Sequence, residues 1–258
     1  MARVKLVLEY DGTAYVGWQA QPNGPSVQST LEAALQKLTG TEVSVVAAGR
    51  TDSGVHARGQ VVAFDAPGEL PLKAYRMGLN GLLPDDIAVV DAREVDAAFD
   101  PRRHSKGKRY AYSISNRPNR SPLRRRTHWE IFRPLDVEAM RRAVVPLVGR
   151  HDFSAFRAAD CQAAHATREI RRVEIMGDVG GELLISVEGT AFLKHMVRNI
   201  VGSAVHVGRG KAPAEWLGEV LAGRDRTKAG STAPAHGLCL VEVLYGSEGV
   251  GEVEPDDE

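Results

Sequence analysis

An α+β architecture in two similar halves is what the patterning of this chain predicts, on three observations. Strand and helix patterns mix along it without the regular strand–helix alternation of a parallel sheet. The second half follows the same plan of elements as the first, with no convincing sequence repeat between them. At 258 residues, 43% hydrophobic and 26% charged, the chain has the size and composition of one large or two smaller globular domains.

The first half opens with Val4, Leu6, Leu8 and Tyr10 alternating with Arg3, Lys5 and Glu9, the period of a half-buried strand. Tyr10-Asp11-Gly12-Thr13 turns the chain, and Trp18 and Gln19 precede a loop rich in Pro and Gly. Ser26 is placed to cap a helix whose apolar stripe, Leu31, Ala34, Leu35 and Leu38, ends at Gly40. Two strand-like runs, 42–48 and 60–66, flank a glycine-rich loop. A helix is expected from Pro71 to about Leu79, then a strand over 87–95.

In the second half, 106–115 (KGKRYAYSIS) is a strand beginning in basic residues. A short strand is expected over 128–132, then a helix capped by Asp136, carrying Met140, Val144, Leu147 and Val148 and ended by Gly149. Residues 168–176 and 182–188 read as paired strands with Gly180-Gly181 at the turn. A long apolar helix from about Phe192 to Val207, a shorter one after Pro213 and a strand over 238–245 complete the body. The expected division is 1–105, 106–246 and an acidic, disordered tail at 247–258.

That tail matters to the charge balance. The chain carries 33 basic and 33 acidic residues, but Ser247–Glu258 holds six acids and no Lys or Arg, so the body is left with 33 against 27. Within it, Pro101–Arg126 holds ten Lys or Arg and no acid, which reads either as a solvated loop or as a surface for a polyanion. No run of about 18 apolar residues is present, so no membrane span is expected. Cys161 and Cys239 lie far apart with no Cys-x-x-Cys pair, which argues for a reduced, cytoplasmic setting.

The chemistry points to Ala48–Val62, AGRTDSGVHARGQVV. Gly49, Gly54 and Gly59 allow tight backbone paths around Arg50, Thr51 and Asp52, and an ionisable loop pinned between strands is how a scaffold holds a reactive group rigidly. Asp52 is therefore the candidate working residue, against the plainer reading of a loop-capping Asp. Arg50 and Arg198 are both possible partners that would keep it ionised, and spacing does not choose between them. Lys194 and Arg198 would share one face of the long helix, while His195 and Asn199 read as core hydrogen-bonding residues. Asp52 with His56, and Cys161 with His165, are too few for a metal set, so no metal is expected. Tyr110 and Tyr112 admit packing and stacking on a nucleobase, and alternation of faces would let both hold.

GRTDSGVHARGQV resembles the signature of the tRNA pseudouridine synthase A family. YDGTAYVGWQ with SVQSTLEAAL, KGKRYAYSI, DFSAFR, FLKHMVRNIVG and DRTKAGSTAPAHGLCLVEV are similar to family segments in the same order, over roughly residues 3–245. The resemblance implies two sheet-bearing halves, each an antiparallel sheet with helices packed on it, and an active-site cleft between them. It implies an isomerase, active as a homodimer and needing no cofactor, that converts uridine to pseudouridine at positions 38, 39 and 40 in the anticodon stem-loop of tRNA. Asp52 then matches the essential aspartate, as nucleophile or as base. Tyr110 matches the tyrosine against the target base, Arg198 the basic partner of the aspartate, and Arg50 the arginine that helps extrude the uridine. Arg58, Lys108, Arg109, Arg124, Arg125, Arg126 and Lys194 are the further cations taken as substrate contacts. Two other readings compete. Asp52-Ser53-Gly54 is the triplet of an aspartic protease, a nearly all-β fold, and a non-catalytic RNA-binding module would use Asp52 only to shape a loop.

Overall fold

The computed structural model describes residues 2–246, so the expected disorder of the acidic tail lies outside the described residues. The strands are β1 (Arg3–Tyr10), β2 (Val46–Ala47), β3 (His56–Asp65), β4 (Ile87–Val95), β5 (Gly107–Ser115), β6 (Trp129–Glu130), β7 (Gly149–Asp152), β8 (Thr167–Met176), β9 (Glu182–Gly189) and β10 (Leu238–Leu244). The α-helices are α1 (Val27–Thr39), α2 (Leu79–Leu82), α3 (Val137–Val144), α4 (Met196–Gly208) and α5 (Trp216–Gly223). The α+β expectation holds. The main strands run β4-β1-β3-β10-β5-β9-β8-β7, with β2 on β3 and β6 on β5.

The first half's strands thus occupy one side of the sheet and the second half's the other. Apart from the two-residue β6, which pairs in parallel with β5, each side is antiparallel, and they join into one continuous sheet through a second short parallel pair, Cys239 opposite His56 and Leu240 opposite Ala57. The antiparallel pairs carry the alternation read from the sequence. Val4, Leu6, Leu8 and Tyr10 are buried along β1, and Leu183, Ile185 and Val187 along β9. Two register shifts, between Leu8 and Tyr10 on β1 and between Leu240 and Glu242 on β10, fall next to the parallel pair. Such irregularities re-aim side chains at a sheet's working end.

Helix starts follow their caps. The Ser26 side chain accepts the Ser29 amide while the Ser29 hydroxyl takes the Ser26 amide, a reciprocal cap worth about 1 kcal/mol. Val27, Leu31, Ala34 and Leu35 face the core, and Gly40 closes the helix in the left-handed region (φ 73°). Asp136 caps α3 through the Ala139 amide.

Several boundaries moved. Only Val46–Ala47 of the run 42–48 pairs, and the strand expected at 60 begins at His56. The helix after Pro71 continues through a five-residue π turn (Ala74–Gly78) into α2. The expected strand 128–132 shrinks to two residues. The helix expected from Phe192 starts at Met196, because His195 takes a left-handed backbone (φ 62°) that no helix continues through. Lys194 therefore lies outside the helix and shares no helical face with Arg198. Tyr110 and Tyr112, two apart on β5, point to the same face and are both buried, so the expected split between faces was wrong.

Acidification tests the packing. Burial, the largest cause in each case, holds His128, His195 and His206 below the usual imidazole range. A folded pKa below the unfolded value means the unfolded chain binds more protons, so their stabilisation is full above pH about 6.5 and is lost as pH falls through the lowered values. The thermal midpoint is expected to drop between pH 7 and 5, and less so in His206→Gln. His206 stacks on Trp216 away from the Asp52 loop, with ring centroids 4.9 Å apart.

Candidate active site

Asp52 stands at the working end of β3, in a loop braced by the segment after β1. Trp18 donates its amide to the Thr51 carbonyl (3.0 Å), Gly54 donates to Tyr15 (3.3 Å), and the Ser53 hydroxyl donates to the same Tyr15 carbonyl. The Tyr10 and Thr51 hydroxyls bond underneath at 2.8 Å. The bracing demands close backbone approach. Gly17 has φ 107°, and a Cβ there would come within 2.7 Å of the Thr51 carbonyl oxygen. Gly54 turns the loop with φ 75°.

From the other half, α4 delivers Arg198. Its Nε donates to the Ala233 carbonyl (2.8 Å), and the Ala233 amide returns a bond to the Arg198 carbonyl (3.1 Å). So fixed, Nη1 lies 3.4 Å from Asp52 Oδ2. Of the two arginines the sequence left open, Arg198 is therefore the partner. Arg50 is exposed, with no ion pair or side-chain hydrogen bond among the described residues. The contact is longer than a tight guanidinium–carboxylate pair, and Oδ1 accepts no hydrogen bond among the described residues. Asp52, its side chain 24% exposed, thus faces a cation through Oδ2 while Oδ1 is left without a hydrogen bond among the described residues.

His195 completes the arrangement. The sequence reading set it in the core with Asn199, and Asn199 is indeed buried, donating to the Phe156 carbonyl at 2.7 Å. The left-handed residue before α4 swings His195 away, and its Nε2 stands 3.6 Å from Asp52 Oδ2. Burial lowers its pKa, the Asp52 charge pulls it up, and Arg198 and Lys194 push it down, for a net lowering. No sequence signal marks that backbone reversal, since a helical stripe continues through Phe192 and Leu193.

Tyr110 lies on β5 opposite Leu240 and Val187, 7% exposed, its ring edge-on to Phe192 at 5.1 Å. Burial first, then Tyr10 and the Asp52 charge, holds its phenol far above the ordinary range and so protonated. Tyr112, next along that face, is structural: its hydroxyl donates to the Pro234 carbonyl (2.8 Å), beneath the segment that holds Arg198.

The remaining cations divide. Lys108 lays its side chain on Gly49, where a Cβ would meet its Cε at 2.9 Å, so it reaches the Asp52 loop; burial, then Arg102, lowers its pKa. Arg58 is exposed on β3. Lys194 pairs with Asp160 at 2.5 Å, and Arg109 pairs with Glu242. Arg124 shares Glu182 with Arg117 and with His128 (3.7 Å). Arg125 donates to the Pro122 carbonyl, and Arg126, 60% exposed, comes only within 4.0 Å of Asp11. The ten-cation stretch, acid-free in sequence, is thus partly neutralised by acids from elsewhere. Among the described residues no group of three or more His, Cys, Asp or Glu is placed to hold a metal ion, and no helix is long and apolar enough to cross a membrane.

Comparison with known proteins bears on this site. The family model described as tRNA pseudouridine synthase matches residues 6–102 and 143–246, which include Asp52 and Arg198 but leave out Tyr110 and most of the basic stretch. A tRNA pseudouridine synthase A of Myxococcus xanthus is 66% identical over 95% of this chain and 92% of its own length. One from Syntrophotalea carbinolica is 51% identical over 95% and 97%. Among solved structures, an archaeal box H/ACA sRNP Nop10–Cbf5 complex aligns over 78% of this chain and 44% of that one, at 13% identity and a TM-score of 0.37. The helices exclude the nearly all-β protease that Asp52-Ser53-Gly54 suggested, and the match across both halves takes in the braced Asp52 and its Arg198 together: the chain belongs to the tRNA pseudouridine synthase family.

Proposed function

We propose that this protein isomerises uridine to pseudouridine at positions 38, 39 and 40 of the tRNA anticodon stem-loop, with Asp52 as nucleophile or base. The observation that carries the reading is the Asp52 carboxylate, braced from below, faced by Arg198 at 3.4 Å and open at Oδ1. The reaction breaks the bond from the anomeric carbon to uracil N1 and forms one from the same carbon to C5. N1 gains a proton and C5 loses one, so the product is an isomer and no redox partner is required. An ionised Asp52 can attack the anomeric carbon, or remove a sugar proton to leave a glycal, while its charge offsets electron deficiency there. Arg198 sets a positive charge 3.4 Å from Oδ2. A neutral Tyr110 hydroxyl suits a relay, taking the C5 proton as it passes its own towards Asp52.

The target base lies stacked in RNA, so it is flipped out, with Arg50 filling the space and Tyr110 packing on the base. Arg58 and Lys108 are assigned to the surrounding RNA backbone, and Arg109 and Lys194 reach it only by giving up their pairs with Glu242 and Asp160. The enzyme is taken as a cytoplasmic homodimer without a cofactor, built of halves 1–105 and 106–246 whose junction is the parallel strand pair. The test is tritium release from tRNA carrying carbon-5-labelled uridine, with the product mapped by position. Release absent, or confined to other positions, refutes the assignment.

On this reading the ion pairs bear on which arginines would hold the phosphates. Arg125 makes no ion pair among the described residues and Arg126 only one at 4.0 Å, whereas Arg124 is paired with Glu182. Arg125→Ala with Arg126→Ala is expected to weaken tRNA binding and flatten its salt dependence by about two units, and Arg124→Ala by less than about one. Binding isotherms at several salt concentrations decide this, and parallel lines for all variants would place the RNA elsewhere.

A further inference from the structure

We propose that His56 is a positioning residue that clips the basic segment ending in Arg126 to the Asp52 loop, so that the RNA grip and the reacting group move as one body. The inference rests on the reading above of Arg126 as a phosphate contact. His56 is buried, the first residue of β3, and one turn from Asp52, whose carbonyl accepts the Val55 amide at 3.1 Å. Its Nδ1 meets the Gly12 amide at 3.1 Å and Asp11 Oδ1 at 3.1 Å. Its Nε2 faces two carbonyl oxygens, Arg126 at 2.7 Å and His236 at 3.0 Å. A carbonyl only accepts, so Nε2 carries a proton whether or not Nδ1 does. One imidazole thus joins the bracing loop, the catalytic strand, the basic segment and the segment before β10.

The segment is gripped again two residues on, where His236 Nε2 donates to the His128 carbonyl at 3.0 Å. Glu182 holds Arg117 and Arg124 from the far side. What these ties leave outward are Arg125, Arg126 and Leu123, the last 92% exposed. The backbone is fixed through its carbonyls, so the guanidinium groups stay available. A histidine that only filled the core would not need both ring nitrogens met by segments so far apart in sequence.

The two nitrogens can be separated by substitution. Asn places a polar atom where Nδ1 stands and nothing where Nε2 stands, whereas Gln reaches the Nε2 position with an amide donor. His56→Asn is expected to raise KM for tRNA about fivefold, the size of one lost hydrogen bond, with a smaller change in kcat, while His56→Gln stays within about twofold of wild type. In an Arg126→Ala background the Asn change should add little to KM, because the clipped group is already gone. Thermal midpoints check folding. Should His56→Asn be unfolded at the assay temperature, His236→Asn against His236→Gln replaces the pair with the same expectation. Equal KM values for Asn and Gln, a loss carried by kcat, or full additivity with Arg126→Ala overturns the clip. A wild-type protein that forms no pseudouridine in tRNA overturns the functional reading along with it.

Discussion

Asp52→Asn is expected to lower turnover by roughly 10⁴ or more while tRNA affinity changes only a few-fold. The amide keeps the shape of the side chain and lies within reach of Arg198, so the loop should hold its form. It cannot act as an anionic nucleophile or base, and it no longer offsets positive charge at the anomeric carbon. The loss therefore belongs to kcat and to single-turnover rates. The measurement is single-turnover tritium release at saturating tRNA beside a direct binding isotherm. An Asn variant with near-normal turnover would remove Asp52 from the chemistry and return it to the role of a loop-capping residue.

Tyr110→Phe carries the second large effect. The ring packs edge-on to Phe192, and Phe keeps that contact and the face offered to a base. Only the hydroxyl is lost. If it relays the C5 proton, the rate should fall by about 10²–10⁴, the range for a positioned proton-transfer group, with KM little changed. A substrate isotope effect from deuterium at C5 should also grow, because proton removal becomes the slower step. Equal rates for the two proteins would leave Tyr110 a packing residue.

Much of this could be read from residues alone. Helix starts were legible where a cap supplies local chemistry, as at Ser26 and Asp136, and strands where alternation is strict, as in β1. The Asp52 loop was legible because glycines and charges break both periods. What escaped was set by tertiary contacts. The start of α4 is hidden because a buried segment keeps its apolar stripe across His195, where the backbone reverses. The choice between Arg50 and Arg198 needed the Ala233 carbonyl that orients the latter. The basic stretch looked uncompensated because Glu182 and Glu242, which neutralise part of it, lie far along the chain.

The parallel pair between β3 and β10 also sets a timetable. β3 is made early on the ribosome and β10 among the last described segments, so His56 and Ala57 wait through most of synthesis for Cys239 and Leu240. Until then the His56–Ala57 end of that β3 edge, beyond the two residues β2 covers, is open, and an open edge recruits other strands. The His236 carbonyl and the Ala233 prop for Arg198 arrive with the same late segment. A nascent chain therefore holds the Asp52 loop long before it holds a competent site, and activity begins only when this last strand closes the gap between the halves.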